Sequence, residues 1–343
     1  MKKIGKNSII FDDVYLFSAA TVSGPTEKNG PLGGFFDSSY EKLDCGESSW
    51  EKAEARLMND AIRLALFKAG LSEEDLSLIV AGDLNNQLGV SNSVMKDKKV
   101  PFLGVYGACS TSVLSLINGS VYIDNGFGNY IACATSSHNA TSERQFRYPT
   151  EYGGQKPSSL TSTATGAGCG IVSKNKSSIK ITAATLGEVY DAECYDSLDM
   201  GRTMAPAAAF TLKQHLKDLN VSIDDYDLII TGDLSTYGKK VFDDILLEYD
   251  IDVRNRHHDA GCMLYNPNRQ TVLAGGSGCA CCALVMYGFI VEEMIKKNLN
   301  KVLIIATGAL HNPIMIAQKE SIPAIAHAIC LERGAVWFIF MHS

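Results

Sequence analysis

The chain has 343 residues, 46% hydrophobic and 20% charged, which suits about two domains and a core that needs no metal or disulfide staple. Lys and Arg total 31 against 38 Asp and Glu, and a net charge of −7 excludes a general nucleic-acid binder. Ten cysteines in a chain of this length read as free thiols of a reducing compartment, not as a disulfide framework.

The first six residues are basic, but Asp12 and Asp13 break any secretory apolar run. Ser48 and Glu51 predict a capping box that opens a helix over 50–69, and Gly70 stops it. An apolar strand then ends in Gly82-Asp83-Leu84. The stretch 100–106 predicts a buried strand, followed by a sharp turn at Gly107-Ala108 and a helix from Cys109 to Asp124. A strand over 130–135 leads into a loop of about 30 residues rich in Ser, Thr, Gly and Tyr, a length that points to function. Strands over 168–173 and 179–186 close the first half.

The second half begins with an irregular stretch over 191–204. It continues with a helix over 204–219 and a strand that ends in Gly232-Asp233-Leu234. Residues 274–291 form an uncharged run of 18, at the lower limit for a membrane span. Its four glycines and three cysteines read instead as a buried turn and a core helix running to Lys297. A strand over 302–307 and Gly308-Ala309-Leu310-His311 follow, and the apolar tail 335–341 reads as an edge strand.

The halves repeat. Residues 71–84 and 221–234 share seven of 14 positions at a constant offset of 150. A second echo sets Cys109 against Cys279, Ala134-Thr135 against Ala306-Thr307, and His138 against His311. Strands alternating with helices predict largely parallel sheets, with equivalent strand ends facing one central cleft.

A thiol at a helix start feels the positive end of the helix dipole and unpaired N–H groups, which lower its pKa and favour the nucleophilic thiolate. The alternative for Cys109 is a small residue fitted between strand and helix. Gly107-Ala-Cys109-Ser-Thr resembles the nucleophile motif of the thiolase and ketoacyl synthase superfamily. Longer segments resemble the stage V sporulation protein AD family of spore-forming bacteria. They are 136–156, Asp199-Met-Gly, Met204-Ala-Pro-Ala-Ala-Ala, Gly275-Gly-Ser-Gly-Cys-Ala-Cys281 and 320–327, and the likeness spans nearly the whole chain.

That resemblance implies an α/β, thiolase-like fold of two duplicated halves in five αβαβα layers. The halves would be 1–175, with a long active-site loop at 136–166, and 176–343. It implies binding of dipicolinic acid, a pyridine dicarboxylate, and a part in its uptake into the developing spore. It further implies work with other stage V sporulation proteins of the same operon. The expected place is the cytoplasmic face of the spore inner membrane, held peripherally through those partners. Fold analogy adds a homodimer.

The family is not one of condensing enzymes, and the residues agree with that. Condensation needs helper groups that move protons and build oxyanion holes. One helper His of the superfamily falls where this chain has Gly232-Asp233-Leu234, and an ionised carboxylate cannot donate to an oxyanion. Gly275-Gly-Ser-Gly278 has neither His nor Asn, and Thr307-Gly308-Ala309 has no Cys. His257, His258 and His311 are the candidates to fill the vacancy. Two alternatives stand beside the binding reading: an acyl-CoA condensing or thiolytic enzyme using Cys109, and a partner-binding scaffold with a vestigial pocket.

A flat ring with two carboxylates needs donors at both ends and apolar contact on its faces. The helix start at Cys109 and Ser110 offers N–H groups. Arg144 and Arg147 offer bidentate guanidinium groups, unless they pair with Glu143 or Glu151. Asp83 belongs to the pocket only with calcium between it and the ligand, or else holds an arginine or a backbone turn. His138 is a donor to the ligand or a local hydrogen-bonding residue. No resident cofactor or metal is expected, with calcium left open as a companion of the ligand. Cys279-Ala-Cys281-Cys282 reads as core packing and His257-His258-Asp259 as loop, not as metal sites.

Overall fold

The computed structural model describes residues 1–147 and 155–334. The predicted tail strand over 335–341, the central part of the long loop, and Glu151 lie outside the described residues. Ten strands carry the architecture: β1 (Tyr15–Ser23), β2 (Leu78–Gly82), β3 (Phe102–Gly104), β4 (Tyr130–Ser137), β5 (Gly166–Ser173), β6 (Ile179–Thr185), β7 (Leu228–Thr231), β8 (His257–Asp259), β9 (Lys301–Ala309) and β10 (Ala324–Arg333). Their spatial order is β8-β7-β9-β10-β6-β1-β5-β4-β2-β3. Read outward from the centre, the order repeats: β1-β5-β4-β2-β3 on one side, β6-β10-β9-β7-β8 on the other. A single residue pair, Lys180 with Tyr15, joins the two leaves.

The leaves are mixed, not largely parallel. In each, the second, third and fourth strands in chain order run parallel, while β5 and β10 run antiparallel to both neighbours. Strands buried on both faces carry the same apolar signature in either direction, so their sequence does not reveal orientation. Nor does β6 close the first half. Both edges of β5 are taken, by β1 and β4, so the chain crosses over and β6 opens the second leaf against β10.

Five main helices matter here: α1 (Trp50–Ala69), α2 (Thr111–Asp124), α3 (Asn139–Phe146), α4 (Met200–Leu219) and α5 (Ser235–Leu247). A further helical run begins at Cys279, passes through a π turn over Val285–Ile290 and ends at Ile295. Buried residues on α1 recur as Ala53, Leu57, Met58, Ala61, Ile62, Ala65 and Leu66, a stripe with helical spacing. They pack on Ile79, Ala81 and Ile171 of the first leaf. Met204, Ala208 and Leu212 of α4 cover Ile229, Leu303 and Ile305 of the second leaf in the same way. Between the leaves, Leu116 and Ile117 of α2 meet Ala283, Leu284 and Tyr287 of the last helical run. Burying each such Leu or Ile contributes about 1.5–3 kcal/mol. The result is αβαβα in five layers, with 274–291 in the middle layer. Gly168 and Gly170 exist for that packing: a Cβ at either would stand 2.8 or 2.7 Å from the Tyr287 ring.

Local predictions shift as well, and the strand predicted as buried over 100–106 is the short, partly exposed edge strand β3. The cap of α1 is Ser49, which accepts from the Lys52 N–H at 3.3 Å, so the Ser48–Glu51 box does not form. Helix α4 starts at Met200, a turn before the predicted Met204. The long loop contains α3, whose polar sequence has only Thr141 and Ser142 buried and so carries no apolar period.

Candidate functional site

Cys109 owes its position to the turn between β3 and α2. Ala108 has φ +49°, in the left-handed region, and swings the chain back so that the thiol faces the gap between the leaves. The turn is tied by Ser110, whose hydroxyl donates to the Gly107 carbonyl at 2.6 Å. Thr111 donates to the Ala108 carbonyl at 2.6 Å and accepts from the Gly107 N–H at 3.1 Å. Cys279, the twin of Cys109, donates its thiol to the Ala108 carbonyl at 3.1 Å. Helix α2 begins only at Thr111, so Cys109 precedes it by two residues and is not its first residue.

Burial pushes the Cys109 pKa well above the usual thiol range, and the negative charge of Asp233 pushes it further; only the Gly278 N–H opposes this. Burial thus works against the lowering expected from a helix start. Asp233 follows β7. It accepts from Thr307 Oγ1 at 2.5 Å and from the Gly278 N–H at 3.0 Å, and it lies near enough to Cys109 for its charge to act on the thiol. Burial pushes its carboxyl up to about 7, so a good part of it is protonated at neutral pH.

A cavity of about 30 Å³ lies above the thiol, room for one or two waters. Leu84, Phe146 and Met200 give it apolar walls, and Ser142, Arg147 and His311 give it polar groups. Among the described residues, eight buried side-chain N or O atoms lack a partner. Three of them, Ser142 Oγ, Arg147 Nε and His311 Nδ1, belong to residues that line this cavity. Native proteins satisfy buried polar groups, so three orphans on one cavity mark a place where water or a ligand supplies the missing bonds. Arg147 Nη1 pairs with Glu143 and donates to the Thr161 carbonyl at 3.1 Å, leaving Nε open. Burial and the Arg147 charge lower the His311 pKa to about 4, so the ring is neutral, and it packs edge-on against Phe146 with centroids 5.3 Å apart.

The other sequence candidates lie elsewhere. Asp83 is buried and accepts from the Asn85 N–H at 2.8 Å, the Ser91 N–H at 2.7 Å and the Ser91 hydroxyl at 2.6 Å. It holds the turn after β2 and is not among the residues lining the cavity. Arg144 is exposed and pairs with Glu51 of α1. His138 caps α3: Nδ1 accepts from the Ala140 N–H at 3.1 Å, and Nε2 donates to the Leu43 carbonyl at 2.8 Å. His257 is buried between Asp243 and Thr231, at 2.5 and 2.8 Å, and His258 is exposed. Among the described residues no group of three or more His, Cys, Asp or Glu is placed to hold a metal ion. Of the candidates, Cys109, Arg147 and His311 meet at one cavity. Sequence reasoning misses Ser142, Phe146 and Met200, since nothing in a polar loop or at a helix start distinguishes a residue that turns inward.

The profile of a family described as Stage V sporulation protein AD (SpoVAD) matches residues 5–332. The stage V sporulation protein AD of Bacillus subtilis (strain 168) is 51% identical over 335 residues, which cover 97% of this chain and 99% of the relative. Solved structures with the same fold include the 3-oxoacyl-[acyl-carrier-protein] synthase III of Aquifex aeolicus VF5. It has a TM-score of 0.60 and 14% identity, with 93% of this chain and 99% of that one covered. Cerulenin-bound OleA of Xanthomonas campestris has a TM-score of 0.62 at 14% identity, over 96% and 98% of the two chains. Human mitochondrial 3-ketoacyl-CoA thiolase in complex with CoA has a TM-score of 0.56 at 14% identity, over 94% and 98%. At such identity the likeness establishes the thiolase-like fold and nothing about chemistry.

Proposed function

The chain belongs to the stage V sporulation protein AD family, and from that premise we propose that the cavity at Cys109 binds dipicolinic acid without catalysing a reaction. The observation that carries this reading is the convergence of three partnerless buried polar atoms on one apolar-walled cavity above a thiol kept neutral. Arg147 takes one carboxylate in a charge-assisted bond, and the Ser142 hydroxyl donates beside it. Phe146, Leu84 and Met200 contact the ring. The neutral thiol repels no anion. The cavity, at about 30 Å³, is smaller than the ligand, so binding displaces Phe146 and Arg147 at the end of α3.

On the same premise, the proposed role is uptake of the ligand at the spore inner membrane, alongside other stage V sporulation proteins of the operon and with a second copy of this chain as its pair. Attachment through partners suits a chain in which no described helix is long and apolar enough to cross a membrane. Titration calorimetry with dipicolinate tests the binding, with and without calcium to show whether the cation accompanies it. The wild-type chain binds at one site, and Arg147→Ala weakens binding by at least about tenfold, the loss of one charge-assisted bond. Absence of binding to the wild type, or release of thiol from acetoacetyl-CoA, overturns the reading.

A further inference from the structure

A second hollow, of about 450 Å³, lies behind the ion pair that anchors Arg147. Glu143 and Thr161 line this hollow, and both hold the guanidinium of Arg147, which lines the Cys109 cavity. Thr163 lines the two spaces at once. The partition between them is therefore one layer of side chains, and its polar part is the Glu143–Arg147–Thr161 contact.

The charges of the hollow suit an anion. Lys156 brings a positive charge, and Glu143 is neutralised by Arg147. Glu27 is buried against Tyr265 and the Thr165 N–H, and burial favours its neutral form. The rest of the lining is mostly hydroxyls, such as Thr26 and Ser162, with Leu160 and Val272 as apolar surface.

Resting on the dicarboxylate-binding reading, we propose that this hollow is an antechamber for the ligand. Arg147 passes the ligand inward by releasing the Glu143 carboxylate and taking a ligand carboxylate in its place. One charge-assisted pair replaces another, so no buried charge is left uncompensated during the exchange. Released Glu143 stays in the hollow that Lys156 also lines.

Surface plasmon resonance of dipicolinate over the immobilised full chain separates the steps. Lys156→Glu lowers the association rate by about tenfold at low ionic strength and leaves dissociation unchanged, as loss of steering requires. Glu143→Gln frees Arg147 and raises the association rate severalfold. The thermal melt of Lys156→Glu matches the wild type, and that of Glu143→Gln falls, because buried Arg147 loses its carboxylate partner; association rates are compared at a temperature where both variants are folded. Wild-type association rates in both variants overturn the antechamber while leaving the binding reading intact, whereas a wild-type chain that binds no dipicolinate overturns the binding reading itself.

Discussion

Asp233 lies beside Cys109, and its negative charge pushes the thiol pKa up. In an acyl-transfer site the neighbour of a cysteine nucleophile is a group that draws off the proton and stabilises the thiolate. A buried carboxyl does the opposite: its negative form raises the thiol pKa, and its neutral form offers the sulfur no compensating positive charge. The twin residue, Asp83, holds a backbone turn instead. Equivalent positions of the two halves have thus taken different work.

Removal of the Asp233 charge makes Cys109 more reactive. Asparagine at 233 keeps the shape: its one oxygen accepts from the Gly278 N–H, and its amide donates to the Thr307 hydroxyl in place of the oxygen that accepted from it. At mildly alkaline pH, Asp233→Asn is alkylated by iodoacetamide at Cys109 at least about tenfold faster than the wild type, one pKa unit of thiol ionisation. Peptide mass spectrometry gives the rate at this site. Equal rates would assign the inertness of the thiol to burial alone.

Dipicolinate binding takes up protons. Burial and Arg147 hold His311 down at about 4, and burial holds Asp233 up at about 7. An anion in the cavity, beside His311 and above the thiol that Asp233 adjoins, raises both values, so the complex holds more protons than the free protein and affinity rises as pH falls from neutral. Calorimetry in buffers of different ionisation enthalpy measures the uptake directly. His311→Gln removes the part seen below about pH 6, and Asp233→Asn removes the part near neutrality. Uptake unchanged in both variants would contradict the placement of the ligand.

Asp83→Ala destabilises the fold without weakening the ligand. The change leaves the Asn85 and Ser91 N–H groups and the Ser91 hydroxyl without their acceptor. Urea unfolding of the variant shows a loss of about 2–4 kcal/mol, from several hydrogen bonds to one charged group. Dipicolinate affinity at a temperature where the variant is folded stays at the wild-type value. A selective loss of affinity would return Asp83 to the site.

Much of the fold is legible in the sequence because it is local or repeated. The period of Ala53, Leu57, Ala61 and Ala65 forms α1, and Gly70 at φ +68° ends it. The matched Gly-Asp-Leu strand ends disclose the duplication, and two copies of one strand order follow from it. Cys109 stands out because a small-residue turn after an apolar strand is a local signal. Helix α3 is hidden because its residues are polar and only two are buried.

What the sequence determined by itself, then, was the family, the two-halved α/β architecture and the cysteine at the turn, all written in contiguous residues and their spacing. Tertiary structure alone decided which carboxylate meets the thiol, which arginine turns inward and which histidine shares the cavity. Those outcomes depend on burial and on groups distant in the chain: Asp233 meets Thr307 across 74 positions, and Arg147 meets His311 because separate elements converge on one cavity. A thiol's pKa is set by the dielectric and charges around it in space, and no local pattern at Cys109 records that Asp233 will be its neighbour.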